Sequence, residues 1–145
     1  MRGDFLVRRM TLFALNRDLA KRLFAARTEE SQRAFVSDLA KDEAAPQLTL
    51  AEADAAALHL ALCGSDAADG GEYPLNHVVF GGRPLLQTAD LTIVLKRPDN
   101  VAHVAQALAT LEANPAAVLP SYKQLVDFYR AAAESACAVI LVRTD

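Results

Sequence analysis

The chain has no apolar run approaching the roughly 20 residues that a bilayer-spanning helix needs, so no membrane role is expected of it. Cysteine is scarce: Cys63 and Cys137 are the two present, far apart and without metal-ligand spacing. They read as buried thiols of a reducing compartment rather than a disulfide framework. Positive charge is also in short supply, with 15 Lys and Arg against 18 Asp and Glu for a net charge of −3. That balance gives no basic stripe, and no nucleic-acid partner is expected. There is no internal repeat or low-complexity segment. No export leader is expected either. Arg8-Arg9 before Met10-Thr11-Leu12-Phe13 imitates a twin-arginine signal, but the apolar run stops at Leu15 and Asn16, Arg17 and Asp18 follow. The expected location is the cytosol.

What remains is an ordinary globular composition. At 145 residues, 52% apolar and 23% charged, the chain fits one domain and lies far from the disordered regime. Met10–Leu15 reads as a strand, apolar on both faces and therefore interior. Asn16 caps a helix from Arg17 to Ala26, with Leu19 and Leu23 inward. Thr28 opens a second helix to about Lys41, with Phe35, Val36 and Leu39 as its apolar stripe. Leu91–Leu95 is a second strand. Pro98 then starts a helix carrying Val101, Val104 and Leu108, ending before Asn114-Pro115. A last helix runs from Pro120-Ser121 to about Ala136, with Leu125, Phe128, Tyr129 and Ala132 inward, and Ala138–Val142 is a third, interior strand. Strands and helices do not alternate regularly. The expectation is a single α+β domain: a small, mostly apolar sheet of about three strands wrapped by five or six helices.

The stretch Leu48–Pro84 holds most of the punctuation. Thr49-Leu50-Ala51-Glu52 has the form of a capping box, the threonine hydroxyl taking the Glu52 N–H and the glutamate reaching back. The helix it predicts is almost wholly Ala and Leu and ends at Cys63, with Gly64 at the left-handed position beyond. Ser65–Tyr73 turns polar and glycine-rich, an exposed loop. Pro74 suits the first turn of a short helix over Leu75–Phe80, with a strand over His77–Phe80 as the competing reading, and Gly81-Gly82 ends it.

These residues resemble a known family. Leu58-His59-Leu60-Ala61-Leu62-Cys63-Gly64, then Pro74-Leu75 leading to Val79-Phe80-Gly81-Gly82, is similar to the signature of the YfbM-like bacterial domains of unknown function. The Leu91–Leu111 segment and the closing Phe128-Tyr129-Arg130 helix with Ala138–Val142 are similar as well. There are departures: Ala56 and Ala57 stand where the family has an aromatic, Cys63 where it has threonine, and Arg97 where it has a threonine cap before the proline. The resemblance covers Met10–Val142, making residues 1–9 an extension and 10–145 the domain. It implies a bacterial cytosolic α+β domain without established chemistry, of a kind that includes small accessory proteins and immunity partners of secreted toxins.

His59 and Cys63 share one helix face and, with Asp66 or His77, could ligate zinc. A buried thiol beside a histidine that donates to a backbone carbonyl explains the pair more simply. As a nucleophile, Cys63 sits at the wrong end of its helix dipole. His103 reads as solvated, and Gly81-Gly82-Arg83 as a turn rather than an anion nest. No catalytic residue, metal or cofactor is therefore expected. The expected function is non-catalytic protein binding, specifically an immunity protein that occludes the active site of a cognate toxin. Its contacts would be Asp66, Asp69, Glu72, Tyr73 and Arg83. The alternative is a small enzyme or a metal- or ligand-binding protein built on the His59, Cys63 and His77 region.

Overall fold

The computed structural model describes residues 9–42, 45–111 and 115–144. Most of the 1–9 extension, including Arg2 and Arg8, lies outside these residues, as does the helix stop expected at Asn114. The elements in order are β1 (Arg9–Leu15), α1 (Arg17–Ala25), α2 (Glu29–Ala40), β2 (Gln47–Ala51) and α3 (Glu52–Cys63). A 3-10 turn (Leu75–His77), β3 (Arg83–Gln87), β4 (Leu91–Lys96) and α4 (Pro98–Thr110) follow. A second 3-10 turn (Pro115–Val118), α5 (Tyr122–Glu134) and β5 (Ala138–Thr144) complete the described chain.

The five strands form one antiparallel sheet in the order β2-β1-β5-β4-β3. The three apolar strands expected from the sequence are its contiguous middle, each buried on both faces as a near-continuous apolar run should be. Alternation along them separates two cores. Phe13, Leu15, Ile93, Leu95 and Ile140 pack with Leu23, Phe35 and Leu39 of α1 and α2. Met10, Leu12, Val94, Val139 and Leu141 pack with Leu58, Val101, Val104, Leu125 and Tyr129 of α3, α4 and α5. The helix starts follow their caps: Asn16 Oδ1 accepts from Leu19 N, and Thr28 and Ser31 form a reciprocal capping box.

Three expectations need correction. The sheet has five strands rather than about three, because its edge strands β2 and β3 carry a helix-start pattern and a Gly-Gly-Arg-Pro turn pattern locally and form only by pairing with their neighbours. The capping box at Thr49 does not form. Thr49 lies in β2 opposite Thr11, and α3 starts after Ala51 with no side-chain cap. Glu52 instead meets Arg143 Nη2 at 3.2 Å. The ladder from Arg9–Ala51 to Phe13–Gln47 requires extended backbone here and places Leu50 in the core, and this long-range gain outweighs one cap. Third, α3 buries Ala55, Leu58, His59 and Leu62 but leaves Leu60 half exposed, so it is covered on one side rather than on most.

Candidate functional site: an acidic loop beside a sheet-floored cleft

Gly64, at φ 76°, ends α3 and releases the loop 65–73. The loop is fastened from below. His59, 1% exposed, donates from Nε2 to the Ala67 carbonyl at 2.9 Å, the role expected of it. The same nitrogen lies 3.4 Å from Cys63 Sγ, whose thiol donates to the Gly70 carbonyl at 3.7 Å. A Cβ on Gly71 would fall 2.5 Å from that sulfur, so glycine is needed for the loop to close over it. His59 Nδ1 is buried without a hydrogen-bond partner among the described residues.

The far end of the loop is fastened to α4. Tyr73 is 47% exposed, with its ring edge-on between His77 and His103. Its hydroxyl lies 2.6 Å from His103 Nδ1 and 3.2 Å from Asn100 Oδ1. His103 is thus a post for the loop, not merely a solvated residue. Burial, then the charge of Asp99, raises the Tyr73 phenol above its ordinary pKa.

Between these fastenings Asp66, Asp69 and Glu72 are exposed, and none makes an ion pair among the described residues. Arg83 does not join them. It opens β3 opposite Leu95, on the sheet face covered by α1 and α2. No group of three or more His, Cys, Asp and Glu side chains among the described residues converges on one point, so His59, Cys63, Asp66 and His77 do not assemble a ligand set.

Sequence reasoning missed the cleft beside the loop. Its volume is about 320 Å³, and Asp69 stands at its lip. The floor comes from strand register: Gln87, Thr92 and Arg143 form one cross-strand row, and Pro84, Val94 and Leu141 the next. His77, Phe80, Gly81 and Gly82 make the wall. The diglycine is there for close approach. A Cβ on Gly81 would meet the Asn76 carbonyl oxygen at 2.2 Å, and one on Gly82, at φ 145°, the Leu95 carbonyl oxygen at 2.6 Å.

Behind the wall lies Lys96, with no exposed surface. Its Nζ donates to the carbonyls of Val79 and Gly81 at 2.8 and 2.6 Å, without a carboxylate partner among the described residues. Burial pushes its pKa down to about 7. Burial, then the Lys96 charge, also lowers that of His77. Asn76 Oδ1 accepts from His77 Nδ1 at 2.8 Å, which leaves Nε2 as the unprotonated nitrogen of the neutral ring. Alternation in Thr92, Val94, Lys96 was the available sequence signal: in a strand buried on both faces the lysine had to be inside.

The chain matches the sequence profile of a domain of unknown function, DUF1877, over residues 8–117. A solved structure, YfbM from Escherichia coli, a protein of unknown function, is similar in fold, with a TM-score of 0.65 at 14% identity. The match covers 94% of this chain and 99% of that one. No curated protein sequence matches. With the profile spanning most of its length, the chain belongs to the DUF1877 family of YfbM-like domains of unknown function.

Proposed function

We propose that this domain is a non-catalytic, cytosolic protein-binding module that engages a basic surface of its partner through the loop 65–73. In its most specific form, it is an immunity protein that occludes the cleft of a cognate toxin. The observation that carries this reading is the pairing of free charge with a fixed backbone. Asp66, Asp69 and Glu72 are exposed and unpaired among the described residues, while Ala67, Gly70 and Tyr73 are tied to the scaffold by His59, Cys63 and His103. Unpaired surface charge of one sign steers encounter. A loop ordered beforehand loses less conformational entropy on binding than a loose one. Tyr73 fixes the loop's end to His103 and keeps about half of its surface, 47%, open to a partner.

The test is association with the product of the neighbouring reading frame, where that product is toxin-like. Reversing charge at Asp66, Asp69 and Glu72 together should abolish binding and leave the melting temperature unchanged. Retained affinity in this triple variant would sink the loop assignment. The alternative built on His59, Cys63 and His77 keeps one supporting observation, the place of His77 on the cleft wall. Stoichiometric zinc in the purified protein would favour its metal form.

A further inference from the structure

We propose that the cleft is a binding site for a small monocarboxylate with an apolar body, its carboxylate held by Arg143 and Thr92 and its body lying on Val94, Leu141 and Phe80. The inference stands apart from the loop reading and does not depend on it. Strand pairing places Thr92 opposite Arg143 and Val94 opposite Leu141, so a polar row and an apolar row run side by side across the floor. A ligand with one charged end and one greasy end matches that division.

The polar groups here are largely unspent. Thr92 has no hydrogen-bond partner for its hydroxyl among the described residues. Arg143 gives one contact to Glu52, at 3.2 Å from Nη2, out of the five N–H donors that a guanidinium carries. An apolar hollow with a few convergent polar groups is the usual form of a small-ligand site, and about 320 Å³ lies in the range such sites occupy. A larger hollow between α5 and β2, about 510 Å³, lacks this character: its one charged residue, Asp127, is already held by Lys123 and Arg130.

The sign of the ligand follows from the surrounding charges. The guanidinium of Arg143 lies on the floor and is the one Lys or Arg side chain among the lining residues. Asp69 is exposed to solvent at the lip, where water screens it. The interior therefore favours an anion over a cation. It favours one negative charge over two, because Glu52 already takes part of the guanidinium.

The test uses the full chain, labelled with nitrogen-15 and titrated with 4-phenylbutyrate, 4-phenylbutyramide and 4-phenylbutylamine. The carboxylate should produce saturable shifts at the amides of Gly82, Thr92 and Val94. The amide should bind at least about tenfold more weakly, the difference expected when a charge-assisted pair is lost. The amine should not bind. Thr92→Val, which keeps the side-chain shape, and Arg143→Gln should each weaken the carboxylate several-fold; if the arginine variant does not fold, the threonine variant carries the test. Absence of saturation at millimolar carboxylate, equal affinity for the three probes, or unchanged affinity in folded variants would overturn the assignment.

Discussion

Lys96 Nζ donates to the Gly81 carbonyl at 2.6 Å, so a side chain rising from the sheet fastens the turn that walls the cleft. The second acceptor is the Val79 carbonyl at 2.8 Å. A neutral amine has two N–H donors, and two carbonyls satisfy them. An ammonium there would carry a third proton and an uncompensated charge, which is the physical reason its pKa falls to about 7.

The sign of the resulting pH dependence is fixed. Lys96 titrates near 7 when folded and near its ordinary value of 10.5 when unfolded, so between these values the unfolded chain binds more protons. Stability therefore rises with pH across that window, by up to about 1.4 kcal/mol per pH unit from this one group. Below about 7 the burial penalty is fully present. Lys96→Met should remove this slope, so the stability difference between wild type and variant, from urea midpoints, should grow in favour of the wild type from neutral pH to pH 9.5. A difference that stays constant would mean the amine is not held neutral.

The glycines should separate into two classes. Gly64→Ala meets open space and suffers only from its φ of 76°, a cost of about 1–2 kcal/mol. Gly82→Ala adds a collision with the Leu95 carbonyl oxygen to a positive φ, and Gly81→Ala collides with that of Asn76. Gly82→Ala should exceed Gly64→Ala by about 1–3 kcal/mol of overpacking, and Gly81→Ala, with no positive φ, should cost about 1–3 kcal/mol from its collision alone. Thermal melts of the three variants give the order directly.

Asn16→Ala should cost about 1 kcal/mol, because Oδ1 is the cap of α1. Thr49→Ala should cost about half that or less, because its hydroxyl reaches only the exposed Thr11 hydroxyl across the sheet edge. Equal costs in chemical denaturation would restore the capping role that the local pattern suggests.

Tyr73→Phe removes the hydroxyl contact with His103 and Asn100 and should cost about 0.5–1.5 kcal/mol. Its ionisation should be visible as the difference in phenolate absorbance between wild type and variant, since Tyr122 and Tyr129 are present in both. Because burial raises that pKa, this step should lie above pH 10. A step at or below 10 would contradict the packing of the ring between His77 and His103.

The interior of the fold was legible where local and long-range preferences agree. Asn16, Thr28 and Gly64 punctuate helices as their side chains or lack of one dictate, and the three double-faced apolar strands read as interior. The two edges were not legible. In β2 a threonine three residues before a glutamate mimics a helix start, and only pairing with β1 decides against it. In β3 Pro84 and the diglycine before it argue against a strand, yet an edge strand tolerates proline and carries a register shift between Pro84 and Leu86. The acidic loop was readable from composition. The cleft was not, because Gln87, Thr92 and Arg143 come from three strands and meet only through register.

The sheet order places β5 at its centre, between β1 and β4, although β5 is the last of the five strands to be translated. Until it joins, β1 and β4 have no neighbour on their inner sides, and the sheet is two separate two-stranded halves. Closure of the sheet is therefore dominated by contacts distant along the chain, with Arg9 paired to Thr144 at the extreme, and such pairing slows folding.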